Sequence, residues 1–264
     1  MRRVGAIAAA IVLAAVISNI GVDRAQAGDL AVGRPEKHLL FFAGTDVWRH
    51  GFSLHGGVVW SANGADRDGF VFKLLAAGGA YRFHSGALGN AEVTGHYVMG
   101  FALPGWRFKQ DRLIVTVFAG LDVAHHRLRP DDPSSKLRGT VAGARGAIEI
   151  WYEPNASTML EASASLASVG PSYSARAAYG WRLFEKFYVG PEVQGFAFDD
   201  NYRQFRAGLH LTALKTENFE YSGALGWARD SNDRHGFYAR LGRDRAILTC
   251  GSNSGRNCRH QVPG

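Results

Sequence analysis

Cysteine is nearly absent from this chain. Its 264 residues hold two, Cys250 and Cys258, both near the C-terminal end and separated mostly by Gly, Ser and Asn. The body of the chain therefore has no thiols for a disulfide framework. In an exported protein the pair reads as a local disulfide closing a small loop. A metal or redox pair is the alternative, with His260 as its lone further ligand.

Long hydrophobic runs are missing too, except at the start. Met1-Arg2-Arg3 is a short basic opening, Val4 to Ile20 is uncharged and apolar, and Ala25-Gln26-Ala27 has the small-x-small form of a cleavage site. These features predict a signal peptide over 1–27 and a mature chain from Gly28, against the alternative of a retained membrane helix. No later uncharged run approaches the roughly 18 residues of a transmembrane helix, so the mature chain is either soluble or inserted as strands. Nor is either charge in large excess. The formal net charge of +7 falls to +5 without the signal, 27 basic residues against 22 acidic ones, which argues against a nucleic-acid partner.

What the chain does have is alternation. From Tyr173 to Leu183, the residues Tyr173, Ala175, Ala177, Tyr179, Trp181 and Leu183 share one parity, while Arg176 and Arg182 occupy the other. Side chains alternate across a strand, so one face suits hydrocarbon and the other does not. Similar runs fall near 38–48, 52–62, 69–83, 91–102, 112–126, 137–152, 157–168, 173–183, 187–198, 202–214, 217–229 and 235–247. Asn63-Gly64 with Asp68-Gly69, Pro104-Gly105, Pro130 to Ser135 and Asp230 to Asp233 mark joints between them. The 33 glycines and 8 prolines are scattered through these runs, and no pooled linker divides the chain into two domains.

The runs are about ten residues long, which suits tilted strands crossing a bilayer. Soluble sandwiches usually manage with about five or six. Aromatics near the run ends, namely Trp60, Tyr81, Phe83, Tyr97, Phe101, Tyr173, Trp181, Phe219 and Trp227, form on this reading the interfacial girdle of an outer-membrane barrel. The predicted fold is an all-β, antiparallel transmembrane β-barrel of about twelve strands (10–14) over 28–247, followed by a tail over 248–264.

Several segments together carry a family resemblance. They are Phe42-Ala43-Gly44-Thr45-Asp46, Asp68-Gly69-Phe70 leading to Gly79-Ala80-Tyr81-Arg82-Phe83, Gly190-Pro191-Glu192, Tyr202 to Gly208, and Gly236 to Gly242. In order and spacing they resemble the BcsS family of cellulose-biosynthesis proteins over nearly the whole mature chain. The resemblance implies an exported, outer-membrane component that accompanies bacterial cellulose synthesis and secretion. It brings no catalytic residues and no cofactor. The chain departs from a barrel that stops on a terminal aromatic, so Gly236 to Leu241 is the candidate internal signal for barrel assembly.

The predicted lumen carries both charges: Asp46, Asp122, Glu149, Glu161, Glu192 and Glu220 against Arg145, Arg176, Arg182, Arg206 and Arg240, with His55, His96 and His210. Opposite charges across a narrow barrel pair and brace it. Alternatively, some lumen groups contact a glucan, aromatic faces stacking on sugar rings while carboxylates, amides and Arg meet hydroxyls. The candidates for that role are Trp48, Glu192, Gln194, Arg206, His210, Tyr238 and Arg240, with Tyr188, Phe196 and Phe198 nearby.

Enzymatic readings are weaker. Ser53 and His55 share a parity, as a lipid-modifying barrel enzyme would require, but no nucleophile elbow accompanies them. The many lumen acids single out no glycosidase pair. His125 and His126 are adjacent and point to opposite faces, so they do not chelate one ion together. The basic tail residues Arg256, Arg259 and His260 read as a solvated or lipopolysaccharide-facing end. The sequence thus predicts a non-catalytic outer-membrane accessory of cellulose production, scaffold or narrow conduit, in contact with membrane lipid and with cellulose or other secretion proteins. A soluble periplasmic polysaccharide-binding β-protein is the further alternative.

Overall fold

The computed structural model describes residues 37–135, 137–198, 202–216 and 219–248. The predicted signal peptide and the Cys250–Cys258 tail lie outside the described residues. Twelve antiparallel strands follow one another round a closed barrel: β1 (Lys37–Trp48), β2 (Gly51–Ser61), β3 (Gly69–Ser85), β4 (Ala91–Gln110), β5 (Leu113–Arg129), β6 (Gly139–Asn155), β7 (Thr158–Ala167), β8 (Ser172–Leu183), β9 (Phe187–Phe198), β10 (Tyr202–Lys215), β11 (Glu220–Asp230) and β12 (His235–Leu248). The last strand returns to pair with the first, Trp48 opposite Tyr238 and Asp46 opposite Arg240. Closure leaves no sheet edge unpaired.

Since the strand number is even, β1 begins and β12 ends at the same end, here called the terminal rim; the opposite end is the far rim. Strands β3 to β6 are 17, 20, 17 and 17 residues long, against 10 to 14 for the other eight. One wall of the barrel is therefore taller than the rest. The connection from β5 to β6 is the longest at the far rim.

Pro104-Gly105 is not a joint. β4 runs straight through it, with Phe72 opposite Pro104 and Val71 opposite Gly105. The proline is felt only on the other side, where the ladder with β5 skips Leu103 and Pro104 while the register continues from Ala102↔Leu121 to Gly105↔Phe118. A prolyl nitrogen has no hydrogen to give to that ladder.

The outer face is unlike that of a soluble protein. Outward positions are apolar and open: Leu121 is 70% exposed, Val98 65% and Leu241 64%, and Leu209 and Leu225 are comparable. Inward positions hold nearly all the buried charge. Trp60, Tyr173, Trp181 and Trp227 face outward as the alternation suggested. Tyr81, Phe83, Tyr97 and Phe101 do not; they are buried inside. On β3 the reason is parity, because Lys73 shares its side with Tyr81 and Phe83, and a charge held inside takes those rings with it.

Pro191 interrupts β9 in the same way, and the adjoining glycine has a separate job. The β8–β9 ladder passes from Ala178↔Glu192 to Trp181↔Val189 without intermediate pairs. There a side-chain carbon on Gly190 would lie 1.9 Å from the Tyr179 carbonyl oxygen. Gly190→Ala is expected to cost about 1–3 kcal/mol by forcing the two strands apart. The midpoint of urea unfolding in detergent micelles measures it, and an unchanged midpoint would show that the strands yield freely.

Candidate functional site

The barrel interior is packed with charged and polar groups set among apolar side chains, Val59, Val71, Leu75, Met99 and Leu103 among them. Three ion pairs reach through it, each joining strands three places apart round the twelve-strand wall. Asp46 on β1 meets Arg206 on β10 at 2.7 Å, Arg240 on β12 meets Glu192 on β9 at 2.6 Å, and Lys73 on β3 meets Glu149 on β6 at 2.8 Å. Pairs between neighbouring strands fill the gaps. Arg176 donates to both Glu161 and Glu192, and Arg145 donates to Asp122.

Glu192 is the hub. It accepts hydrogen bonds from Arg176, from Arg240 and from the Tyr238 hydroxyl at 2.8 Å. Gln204 presents its carbonyl oxygen to Arg206 Nε at 2.7 Å, so this guanidinium has partners on two sides. His55 lies within electrostatic reach of Asp46, Arg240 and Lys73.

The inward aromatics serve these cations. Lys73 Nζ sits 5.3 Å from the Phe42 ring centre and 5.4 Å from that of Phe118, and Arg145 lies 5.2 Å from Phe101. Arg206 is held between Phe196 at 5.3 Å and Tyr238 at 5.0 Å. Ring faces carry negative charge density that attracts cations, most strongly where water is excluded. Water is excluded here: Lys73, Asp46 and Arg206 are 0% exposed and Glu192 and Tyr238 1%.

The two ends differ. Toward the far rim the interior is lined by Trp48, Tyr81, Phe83, Tyr97, His126 and Tyr202; the Tyr81 hydroxyl lies 3.2 Å from His126 Nδ1, and Tyr97 stacks on the same imidazole. At the rim itself, burial together with nearby Arg234 and Arg49 lowers the pKa of His50 from its ordinary value. Toward the terminal rim, Arg107 donates to Ser61 Oγ and to the Ala65 carbonyl, while Tyr188 links Arg182 to Glu153.

Most of the sequence-predicted lumen residues are where alternation put them. Trp48, Glu192, Gln194, Arg206, His210, Tyr238 and Arg240 all point inward and are buried. The structure brings Glu192, Tyr238, Arg240 and Arg206 together and leaves Trp48 apart at the far rim, edge-on to His50 at 5.0 Å. Gln194 makes no hydrogen bond to protein through either end of its amide. His210 hands its Nε2 proton to the Tyr179 carbonyl at 3.1 Å, which leaves Nδ1 to accept from Thr212 at 2.8 Å. Glu220 and Arg182 are only partly buried, and the Phe198 side chain lies outside the described residues.

His96 is a correction. It faces outward on β4, because Tyr97 and Phe101 take the inward parity. Lys73, Arg107, His126 and Gln204 are inward residues that sequence reasoning missed. A charge on the same parity as a supposed lipid-facing aromatic was the signal for Lys73.

Ser53 and His55 both point into the lumen, and Ser53 Oγ and His55 Nδ1 have no hydrogen-bond partner, so the pair is not linked. Buried among ion pairs, neither can reach a lipid outside the wall. Among the described residues no group of three His, Cys, Asp or Glu side chains is arranged to hold a metal ion.

Comparisons with known proteins follow the same lines. No curated protein matches the sequence. A family model described as "Cellulose biosynthesis protein BcsS" matches residues 40–246. Among solved structures, an outer membrane channel from Pseudomonas putida F1 is similar with a TM-score of 0.55 at 10% identity, over 83% of this chain and 100% of that one. The deltaS2 mutant of the TodX monoaromatic hydrocarbon channel gives a TM-score of 0.51 at 9% identity, over 81% and 91%. At such identities the likeness concerns the fold.

Proposed function

Because the chain belongs to the BcsS family of cellulose biosynthesis proteins, we propose that it serves cellulose production or export as a non-catalytic scaffold in the outer membrane, a braced barrel that does not itself conduct. The observation that carries this reading is the set of three ion pairs inside the lumen, whose members are 0–8% exposed. Such buried, mutually neutralised groups leave little room or solvent contact for a glucan chain. The apolar outer face and the outer-membrane channels that share the fold support the location, and the predicted export signal supports the route.

On this reading Glu192, Arg206, Tyr238 and Arg240 hold the barrel's shape, and contact with cellulose or with other secretion proteins falls to the rims. Trp48, beside the far rim, is buried against His50 and Arg234, so a sugar ring would meet it only after those two side chains move.

Two measurements test the proposal. In planar bilayers the folded chain is expected to give no discrete current steps at neutral pH. Deleting the gene is expected to lower cellulase-digestible polymer, with recovery on re-expression. Stable pore-sized steps would make it a conduit, and unchanged polymer would remove it from the pathway.

A further inference from the structure

The outward face of β3, β4 and β5 changes character toward the far rim. Along β5 the outward residues read Val117, Leu121 and Val123, then His125, Arg127 and Arg129, all three of the latter exposed. On β4 the change falls between Val98 and His96, and on β3 between Leu74 and Arg82 with His84.

Register gathers these cations. Arg82 lies opposite Thr94, and Thr94 opposite Arg129; one step lower, His96 lies opposite Arg127. With strands about 4.8 Å apart and about 3.4 Å per residue, Arg82 and Arg129 stand about 10 Å apart across Thr94, with Arg127 about 7 Å below Arg129.

Among the described residues none of the three arginines has a carboxylate partner. The described aspartates of this rim have other partners. Asp131 pairs with Arg138 at 2.9 Å, Asp230 with Arg234 at 2.7 Å, and Asp132 accepts from the backbone N–H and side chain of Ser134. Glu92 lies above Thr94, opposite His84.

Cations directly above an apolar wall sit at headgroup depth, where a counter-charge arrives with the lipid. We propose that Arg82, Arg127 and Arg129, with His96 and His125 beside them, form a binding site for the phosphate groups of a bis-phosphorylated glucosamine glycolipid, lipid A, whose acyl chains lie along Val98, Leu121 and Val123. A guanidinium fork matches phosphate oxygens in pairs, which an ammonium does not. The far rim carries the longest connection and lies opposite the chain ends, the disposition of the outward side of an outer-membrane barrel. The inference rests on the membrane reading of the preceding section.

Native mass spectrometry of the full chain, folded in detergent, tests it by titration with bis-phosphorylated lipid A, its dephosphorylated form and phosphatidylglycerol. The expected result is one retained lipid A and at least tenfold weaker retention of the other two lipids. The triple variant R82Q/R127Q/R129Q should lose lipid A about tenfold, while R49Q/R203Q/R229Q, which removes the same charge elsewhere on the rim, should keep it. The heat-dependent shift on electrophoresis verifies that each variant is folded. Equal retention by the first triple and the parent, equal losses in both triples, or phosphatidylglycerol binding as well as lipid A would each overturn the site. Membrane fractionation decides the underlying reading separately: a chain recovered as soluble protein fails that reading whatever the micelles report.

Discussion

Glu192→Ala is expected to cost the folded barrel about 3–5 kcal/mol, because it removes one carboxylate from between two buried guanidiniums. Arg176 would keep Glu161 as a partner. Arg240 would lose the 2.6 Å partner that neutralises it, and the Tyr238 hydroxyl would lose its acceptor. Deleting one member of a buried ionic cluster is worse than never having built it, since the survivors stay desolvated. Glu192→Gln should fall between the two, retaining an acceptor oxygen for Tyr238 without the charge. The urea midpoint of the heat-shifted band, measured in micelles, gives the answer. A midpoint for Glu192→Ala within experimental error of the parent would mean that water reaches the lumen and screens the cluster, and the scaffold reading would lose its main support.

Leu121→Arg should cost about 2–4 kcal/mol for a different reason. Leu121 is the central residue of β5, points outward and is 70% exposed, with Val117 and Val123 on the same face at 40% and 44%. In water such a position would tolerate arginine well. In the middle of a bilayer it would not. The companion variant Val47→Arg, one residue from the far end of β1, should lose only about 0–1 kcal/mol because its charge can reach the headgroups. Refolding yields of both variants into lipid vesicles provide the comparison. Equal yields would place the outer face in water and return the protein to the soluble alternatives.

Much of the barrel was legible in the sequence because alternation is a local property. The strand number, the inward set around Glu192, Arg206 and Arg240, and the turns at Asn63-Gly64 and Asp230 to Asp233 all follow from it. Where both parities of a strand are apolar, alternation loses its meaning. β4 is the example: His96 and Arg107 lie on opposite faces, and nothing in the sequence decides whether Tyr97 or Val98 meets lipid. β3 was decidable, since Lys73 fixes the face. Pro104-Gly105 misled because the pair commonly turns a chain, whereas here it only interrupts one side of a ladder.

The partners inside the lumen were beyond sequence reasoning in another way. Lys73 and Glu149 are 76 residues apart, and Asp46 and Arg206 160. Their meeting depends on barrel diameter and stagger, which are properties of the whole ring. Parity shows which way a side chain faces, but not what it will find there.

The closing seam sets the order of events in biogenesis. β1 pairs with β12, so the first strand to emerge waits for the last before it has a second neighbour. Joining ends so distant in the chain carries a loop-closure cost that no local contact repays, and high contact order makes folding slow. Two of the three pairs inside the lumen also draw on these strands, through Asp46 and Arg240. Until β12 arrives, an export intermediate holds two raw sheet edges and unneutralised charges, a state prone to aggregate and attractive to proteases. On the outer-membrane reading, then, the chain needs shelter until β12 has arrived, and a chain cut short before β12 is expected to be degraded.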